Sequence, residues 1–314
     1  MNEPVLELLP IDISAYRNSN TEADYVHRFD SGRPGPNVLI NALTHGNEVC
    51  GAHAIGLLFE NNIRPKLGSL TLSFSNVDAY HTFDANDPSA SRFIDEDFNR
   101  VWSDKILDSP RKSAELTRAR EIRNFVASAD YLLDLHSMHL PSPALMLCGT
   151  APKGHRLAFA LGVPQFIVAD PGHAAGPRMR DYGSFTNLDA EPTALLVECG
   201  QHWASDTREV AIQTVFHFLD TLDLIDRDVA SPFMATDLPS QKLIEVVGPI
   251  TIKTNSFRFI DEFKGLEVVE QAGTLIGYDG SQPVVTPHDE CILIMPTHCP
   301  RIGQTAVRLG RYID

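Results

Sequence analysis

Cysteine is scarce and unpaired. Cys50, Cys148, Cys199, Cys291 and Cys299 are odd in number, scattered and without a Cys-x-x-Cys spacing, which excludes a disulfide framework and a thiolate metal site. Buried reduced thiols are expected, Cys199 among them, because Leu195-Leu196-Val197 marks the end of a buried strand. Positive charge is also in short supply: 26 Lys and Arg stand against 41 Asp and Glu, a formal net charge of -15. Nucleic acid and anionic membrane surfaces are met through basic patches, so neither is expected as a partner. Long apolar runs are missing, and none approaches the ~18 residues of a membrane-crossing helix. The opening Met1-Asn-Glu-Pro4 has no basic region followed by an apolar one, so a cytoplasmic protein is expected. Internal repeats and low-complexity tracts are absent.

What is present suffices for a sizeable core, with 43% hydrophobic residues in a chain of 314. After a Gly-Arg-Pro-Gly-Pro turn ending at Pro36, Val38-Leu39-Ile40 reads as a short buried strand, and Val49 to Leu58 has helical apolar spacing. Ser69 to Ser75 alternates like a strand. A long irregular stretch from Asp78 to Ser109 follows, of the kind that is usually functional in a compact domain. Ser113 to Ala127 places Leu116, Ala119, Ile122 and Val126 on one helical face. Strands are expected at 131–135, 144–148, 166–169 and 194–197. Asp206 to Leu222 reads as a second strong helix, with Asp206 and Glu209 spaced as a capping box.

This order predicts an α/β fold with a mixed, mostly parallel sheet flanked by helices. Ligands in such sheets gather outside the carboxyl ends of the strands. From Asp226 to Ser240 the composition turns to Asp, Pro, Ser and Ala, and short β runs follow at 243–253, 257–263, 266–278 and 291–295. A division into residues 1–228, an α/β domain, and 229–314, a smaller all-β C-terminal domain, is expected.

The chemistry centres on Asn41-Ala-Leu-Thr-His45-Gly-Asn-Glu48, which sets an imidazole and a carboxylate three residues apart where a strand turns into a helix. A catalytic zinc takes three protein ligands of this kind and keeps one position open. His136, ending the apolar run Leu132-Leu-Asp134-Leu-His136, is the best third ligand, with His139 as the competitor. Asp134, two residues before His136 and so on the same strand face, is placed either to orient that ring or to pair with a distant cation.

Four motifs occur in order: Thr44-His-Gly-Asn-Glu48, Arg92-Phe-Ile-Asp-Glu-Asp-Phe-Asn99-Arg100, Asp134-Leu-His136-Ser137 and Val197-Glu198-Cys-Gly200. Together, from Val38 to Gly200, they resemble the aspartoacylase and succinylglutamate desuccinylase family of zinc hydrolases, itself related to the zinc carboxypeptidases. The resemblance implies a zinc carboxypeptidase-like fold, one Zn2+ per chain on His45, Glu48 and His136, and Glu198 as general base. It implies Arg92 as the stabiliser of the developing oxyanion and Asn99 with Arg100 as the grip on a substrate carboxylate. The family carries further Arg and Tyr residues in the acyl-group pocket. Arg178, Arg180, Tyr182 and Tyr278 are available here, and Arg180 and Tyr278 are taken as candidates.

The implied reaction is hydrolysis of the acyl amide of a small anionic N-acylated amino acid, of N-acetyl-aspartate or N-succinyl-glutamate type. In a chain this acidic, attraction of an anion must come from a few arginines focused in a cleft. A metallocarboxypeptidase acting on small peptides and a non-catalytic binding protein on the same fold are the alternatives. Retention of the three ligands with Glu198 argues against the latter. The acyl group, the native metal and the presence of a homo-oligomer are left open.

Overall fold

The computed structural model describes residues 5–173, 175–297 and 299–313. The chain begins with strands Val26–Asp30 (β1) and Asn37–Ala42 (β2), then helix Cys50–Glu60 (α1), strand Ser69–Phe74 (β3) and short helices Val77–His81 (α2) and Asp104–Leu107 (α3). Helix Ala114–Ala127 (α4), strands Tyr131–Met138 (β4) and Leu145–Leu147 (β5), helix Pro152–Leu161 (α5), and strands Phe166–Ala169 (β6) and Thr193–Gln201 (β7) follow. Helices Asp206–Thr221 (α6) and Arg227–Ala230 (α7) lead to Lys242–Thr251 (β8), Arg258–Phe259 (β9), Glu267–Val269 (β10), Leu275–Asp279 (β11), Gln282–Val285 (β12), Cys291–Ile294 (β13) and Thr305–Ile313 (β14).

Among the described residues, eleven strands form one sheet in the order β1-β3-β2-β4-β7-β5-β6-β8-β14-β13-β10, and β12-β11-β9 form a second. The centre, β3-β2-β4-β7, is parallel, as are β5 with β6 and β6 with β8. Helices cover both faces. Ile55 and Leu58 of α1, Leu157 of α5 and Val215 and Phe218 of α6 pack on one side, and Leu116, Ile122 and Val126 of α4 on the other. This double cover explains why β3 is buried at every position, polar Ser69, Thr71 and Ser73 included.

Several expectations are corrected. Strands β4 and β7 run three and four residues beyond their apolar stretches, because His136 pairs with Glu198 across the ladder and Met138 with Gln201. The sites therefore lie within the last residues of these strands rather than past them. No capping box opens α6: Ser205 is the N-cap, without a side-chain bond, and Glu209 accepts from Arg208. Cys299 is exposed while the other four cysteines are buried. Helix α5 was hidden by its polar opening, Pro152-Lys-Gly-His. The β character expected after residue 240 is present: β8, β14, β13 and β10 extend the edge of the main sheet in antiparallel pairs, and β9, β11 and β12 form a separate antiparallel sheet. We propose a boundary in the stretch 235–241, between Phe233 and Met234, which still pack on the first core with Phe233 stacked 4.2 Å from Phe216, and strand β8, whose Leu243 touches that core again.

Lys153, in the first turn of α5, ties the approach to β7. The three N–H groups of its ammonium are shared among four carbonyls, those of Ser184 (3.0 Å), Asn187 (2.8 Å), Ala190 (2.8 Å) and Pro192 (2.6 Å). Lys153→Met keeps the stem and removes every one of these bonds. The expected loss is about 1.5–3 kcal/mol, the scale of hydrogen bonding to a charged group. Denaturant unfolding and proteolytic cutting within 184–192 report it, and unchanged values for both would refute the clamp.

Candidate active site

Strand β2 stops at Ala42, and Leu43 takes a left-handed backbone, φ 60°, unusual for a bulky residue. That turn sends Thr44 Oγ1 to Asp134 Oδ1 (2.9 Å) and sets His45 beside Glu48, with Nδ1 2.7 Å from Oε1. Glu48 Oε2 lies 2.8 Å from His136 Nδ1 and accepts the Ser137 backbone N–H at 3.2 Å, while Oε1 accepts from Arg92 Nη1 at 3.2 Å. Gly46 permits this crowding: a Cβ there would come 2.4 Å from the Ser91 carbonyl oxygen.

The outer nitrogens of both rings are occupied. His136 Nε2 is 2.8 Å from Asp134 Oδ2, and His45 Nε2 is 3.0 Å from Asp97 Oδ1. Asp134 is itself held on Oδ1 by Asn41 (2.8 Å) and Thr44, and Asn41 accepts from Ser75 (2.5 Å). Each ring therefore turns Nδ1 inward. One ligand atom from each of His45, Glu48 and His136 lies within 4.8 Å of the others, and all three residues are buried. Two imidazoles with outer carboxylate partners and one carboxylate are a donor set that fits a divalent metal ion.

The charges act on one another at short range. Burial opposes ionisation of Glu48, yet His45 and His136 hold its carboxyl well below the usual range. Burial likewise opposes protonation of His136, and Asp134 and Glu48 overcome it, raising the ring well above its ordinary value. Glu198 is pushed the other way, up to about 8, chiefly by burial. Its Oε2 is buried without a hydrogen-bond partner among the described residues, beside His136. A buried carboxylate oxygen left without a partner marks a place for a ligand, ion or water.

Arg92 joins this group, with Nη2 2.9 Å from His45 Nε2 and 3.2 Å from Asp97 Oδ2. Arg100 is near it, with Nη2 4.0 Å from Asp97. Asn99 is buried, and its side-chain oxygen accepts the Met179 N–H at 2.8 Å. Arg180 is drawn to Asp181 (2.6 Å) and the Ala194 carbonyl (3.3 Å), against Gly149. Tyr278 lies in the second sheet, with the Arg258 guanidinium 4.8 Å over its ring.

Four contributors were missed. Asp97 was inside the Arg92–Arg100 motif, but its partner His45 is distant in sequence. Ser137 Oγ lies 2.8 Å from His202 Nδ1, a ring whose burial lowers its pKa to about 3. Arg308, on β14, reaches Asp170 at 3.2 Å and carries no motif. Glu115 reads as a surface residue in the first turn of α4, yet it is fully buried. Its oxygens accept the backbone N–H groups of Ile94 (2.6 Å), Asp95 (3.0 Å) and Glu96 (3.2 Å), pinning the loop that carries Arg92 and Asn99.

The fold and the site define an α/β protein with a candidate metal centre at the carboxyl ends of its central parallel strands. Residues 34–219 match the succinylglutamate desuccinylase/aspartoacylase catalytic domain, and the chain belongs to that family. It is 25% identical over 229 residues to a succinylglutamate desuccinylase of Vibrio cholerae serotype O1, a match covering 68% of this chain and spanning 64% of the relative's length. The fold is similar to the crystal structure of succinylglutamate desuccinylase from Vibrio cholerae, with TM-score 0.68 and 18% identity, covering 93% of this chain and 86% of that one. It is also similar to murine aminoacylase 3, with TM-score 0.60 and 18% identity, covering 90% and 96%.

Glu115→Gln keeps the shape but turns an amide N–H2 toward backbone N–H donors. A loss of about 1–3 kcal/mol is expected, the cost of buried donors left unsatisfied. Faster proteolytic cutting between residues 92 and 99 is expected with it. Wild-type unfolding and cutting would show that the loop is held elsewhere.

Proposed function

We propose that this protein is a zinc-dependent amidohydrolase that cleaves the acyl amide of a small anionic N-acylated amino acid. The observation that carries the reading is the buried His45–Glu48–His136 group with the unpartnered Glu198 oxygen beside it. Zinc on those three residues would polarise the scissile carbonyl and lower the pKa of an attacking water. Family membership supports the hydrolase class.

The remaining roles belong to the chain's own side chains. Glu198, buried beside His136 with one carboxylate oxygen unpartnered among the described residues, is placed to take a proton from water and return it to the departing amine. Arg92 is a fixed cation where negative charge develops on the carbonyl oxygen. Asp134 and Asp97 hold the two imidazoles in the tautomer that turns Nδ1 inward. Arg100, half-buried, offers its guanidinium to a substrate carboxylate. Asn99 acts in support, by fixing Met179 and the loop beyond it. A cytoplasmic location fits the reduced cysteines, and no helix among the described residues is long and apolar enough to cross a membrane.

Turnover of N-acetyl and N-succinyl amino acids by the zinc-loaded protein tests the reading, and no turnover of either series would sink it. Glu198→Gln should keep stoichiometric zinc and lose roughly two to four orders of magnitude in rate, the scale of general acid/base catalysis. Near-normal turnover would remove Glu198 from the mechanism.

Metal binding should also release protons. His136 holds its proton firmly in the metal-free chain and must give it up to ligate, so zinc affinity should rise with pH by about tenfold per unit for each proton released. Calorimetry in buffers of different ionisation heat counts these protons. His136→Ala should abolish both the binding and the release, whereas tight zinc retained in that variant would place the metal elsewhere.

A further inference from the structure

Beyond the metal-ligand group, this acidic chain gathers arginines from three distant segments. Arg100 ends the turn Phe98–Arg100, Arg178 stands in the loop after β6, and Arg308 projects from β14. Gly176 closes that loop onto Arg100: with φ +141°, its Cβ would come 2.7 Å from the Arg100 carbonyl oxygen. At the end of β6, one oxygen of the buried Asp170, Oδ2, takes both Arg178 Nη1 (2.8 Å) and Arg308 Nε (3.2 Å). The other oxygen accepts the Gly172 N–H at 3.0 Å.

These arginines differ in what they have left to donate. Arg178 commits Nε and both terminal nitrogens to Asp170 and Asp181. Arg308 meets Asp170 only as an ion pair through Nε, and among the described residues its two terminal nitrogens have no ion-pair or hydrogen-bond partner, although the side chain is only 10% exposed. Arg100 donates Nη1 to the Asn99 carbonyl at 2.6 Å. The crowding of like charges is felt by the neighbours. His173, half-buried among them, is lowered to about 3 by burial and then by Arg100, Arg308 and Arg178. Arg100 Nη2 lies 4.0 Å from Asp97, whose other oxygen meets His45 Nε2 at 3.0 Å, so the cluster adjoins the candidate catalytic group. An entering anion relieves this repulsion and finds the open end of a guanidinium already oriented.

We propose that Arg308 is a substrate-recognition residue, which together with Arg100 grips a carboxylate of the anionic substrate. Asp170 orients its guanidinium, and the C-terminal strand β14 thereby supplies part of the binding site. The proposal rests on the reading of the site as one for small N-acylated amino acids.

Succinate, a dicarboxylate without an amide bond, is the probe. It is titrated by calorimetry into zinc-loaded wild type, Arg308→Lys, Arg308→Met and Arg311→Met. The last removes the same charge from an exposed arginine on the same strand, one that is paired with Glu245. Arg308→Met should weaken binding by about tenfold or more, as expected when one partner of a desolvated charge pair is truncated. Arg308→Lys should weaken it less, keeping the charge and losing the planar fork. Arg311→Met should bind as wild type, and zinc content should be equal in all four.

Wild-type affinity in Arg308→Met, an equal loss in Arg311→Met, or no succinate binding by the wild type overturns the proposal. If Arg308→Met does not fold, Arg308→Lys decides, and wild-type affinity there overturns it. Turnover of N-acyl amino acids on the same preparations separates the two readings. Succinate binding through Arg308 without turnover removes the hydrolase and leaves the anion site. Turnover indifferent to Arg308→Met removes Arg308 and leaves the hydrolase.

Discussion

A carboxylate buried to 2% exposure constrains the rest of this molecule. Glu48 is an ion removed from water, a state that costs several kcal/mol unless charges and hydrogen bonds replace the lost hydration. Its replacements come from three places in the chain: His45 from the turn after β2, His136 and the Ser137 N–H from β4, and Arg92 from the long loop. Satisfying one side chain therefore fixes the strand-to-helix turn, the depth of β4 in the sheet and the closure of the loop. The left-handed Leu43 and the crowded Gly46 are local strains that this convergence holds in place.

Around that carboxylate the structure repeats one device, an acidic group that orients a cationic or hydrogen-bonding neighbour. Asp134 fixes His136, Asp97 fixes His45, Asp170 holds Arg178 and Arg308, and Glu115 collects three backbone amides of the loop. Each is buried or partly buried and multiply bonded, so losing its partner would strand a charge. The result is a rigid set of donor atoms on the strands, with supports on helices and loops. An overall charge of -15 coexists with a local positive site because the arginines are held inside the fold, where screening by salt and water is weak.

Much of this was legible in the sequence because it depends on short-range pattern. Apolar runs and helical spacing located β2, α1, α4, β6 and α6 to within a residue or two. His45 and Glu48 share one turn, and Asp134 and His136 alternate on one strand face, so the backbone periods alone bring each pair to the same side. The resemblance between the four ordered motifs and the family implied that these pairs belong together, and the family model matches the same region of the chain. The polar tails of β4 and β7 escaped a reading based on apolarity. They stay in the sheet through pairing with each other rather than through their own composition.

By itself, then, the sequence determined the α/β class, the principal elements and the two local halves of the His45–Glu48–His136 group, because these follow from side-chain type at fixed backbone periods. Only the tertiary structure decided which distant partners meet. It joined the C-terminal strands to the main sheet through β6 and β8, set Asp97 against His45, buried Glu115 under the loop, and brought Arg308 to Asp170 beside Arg100 and Arg178. No local period encodes such contacts. They arise when the sheet closes its register and each buried charge takes the nearest group able to compensate it.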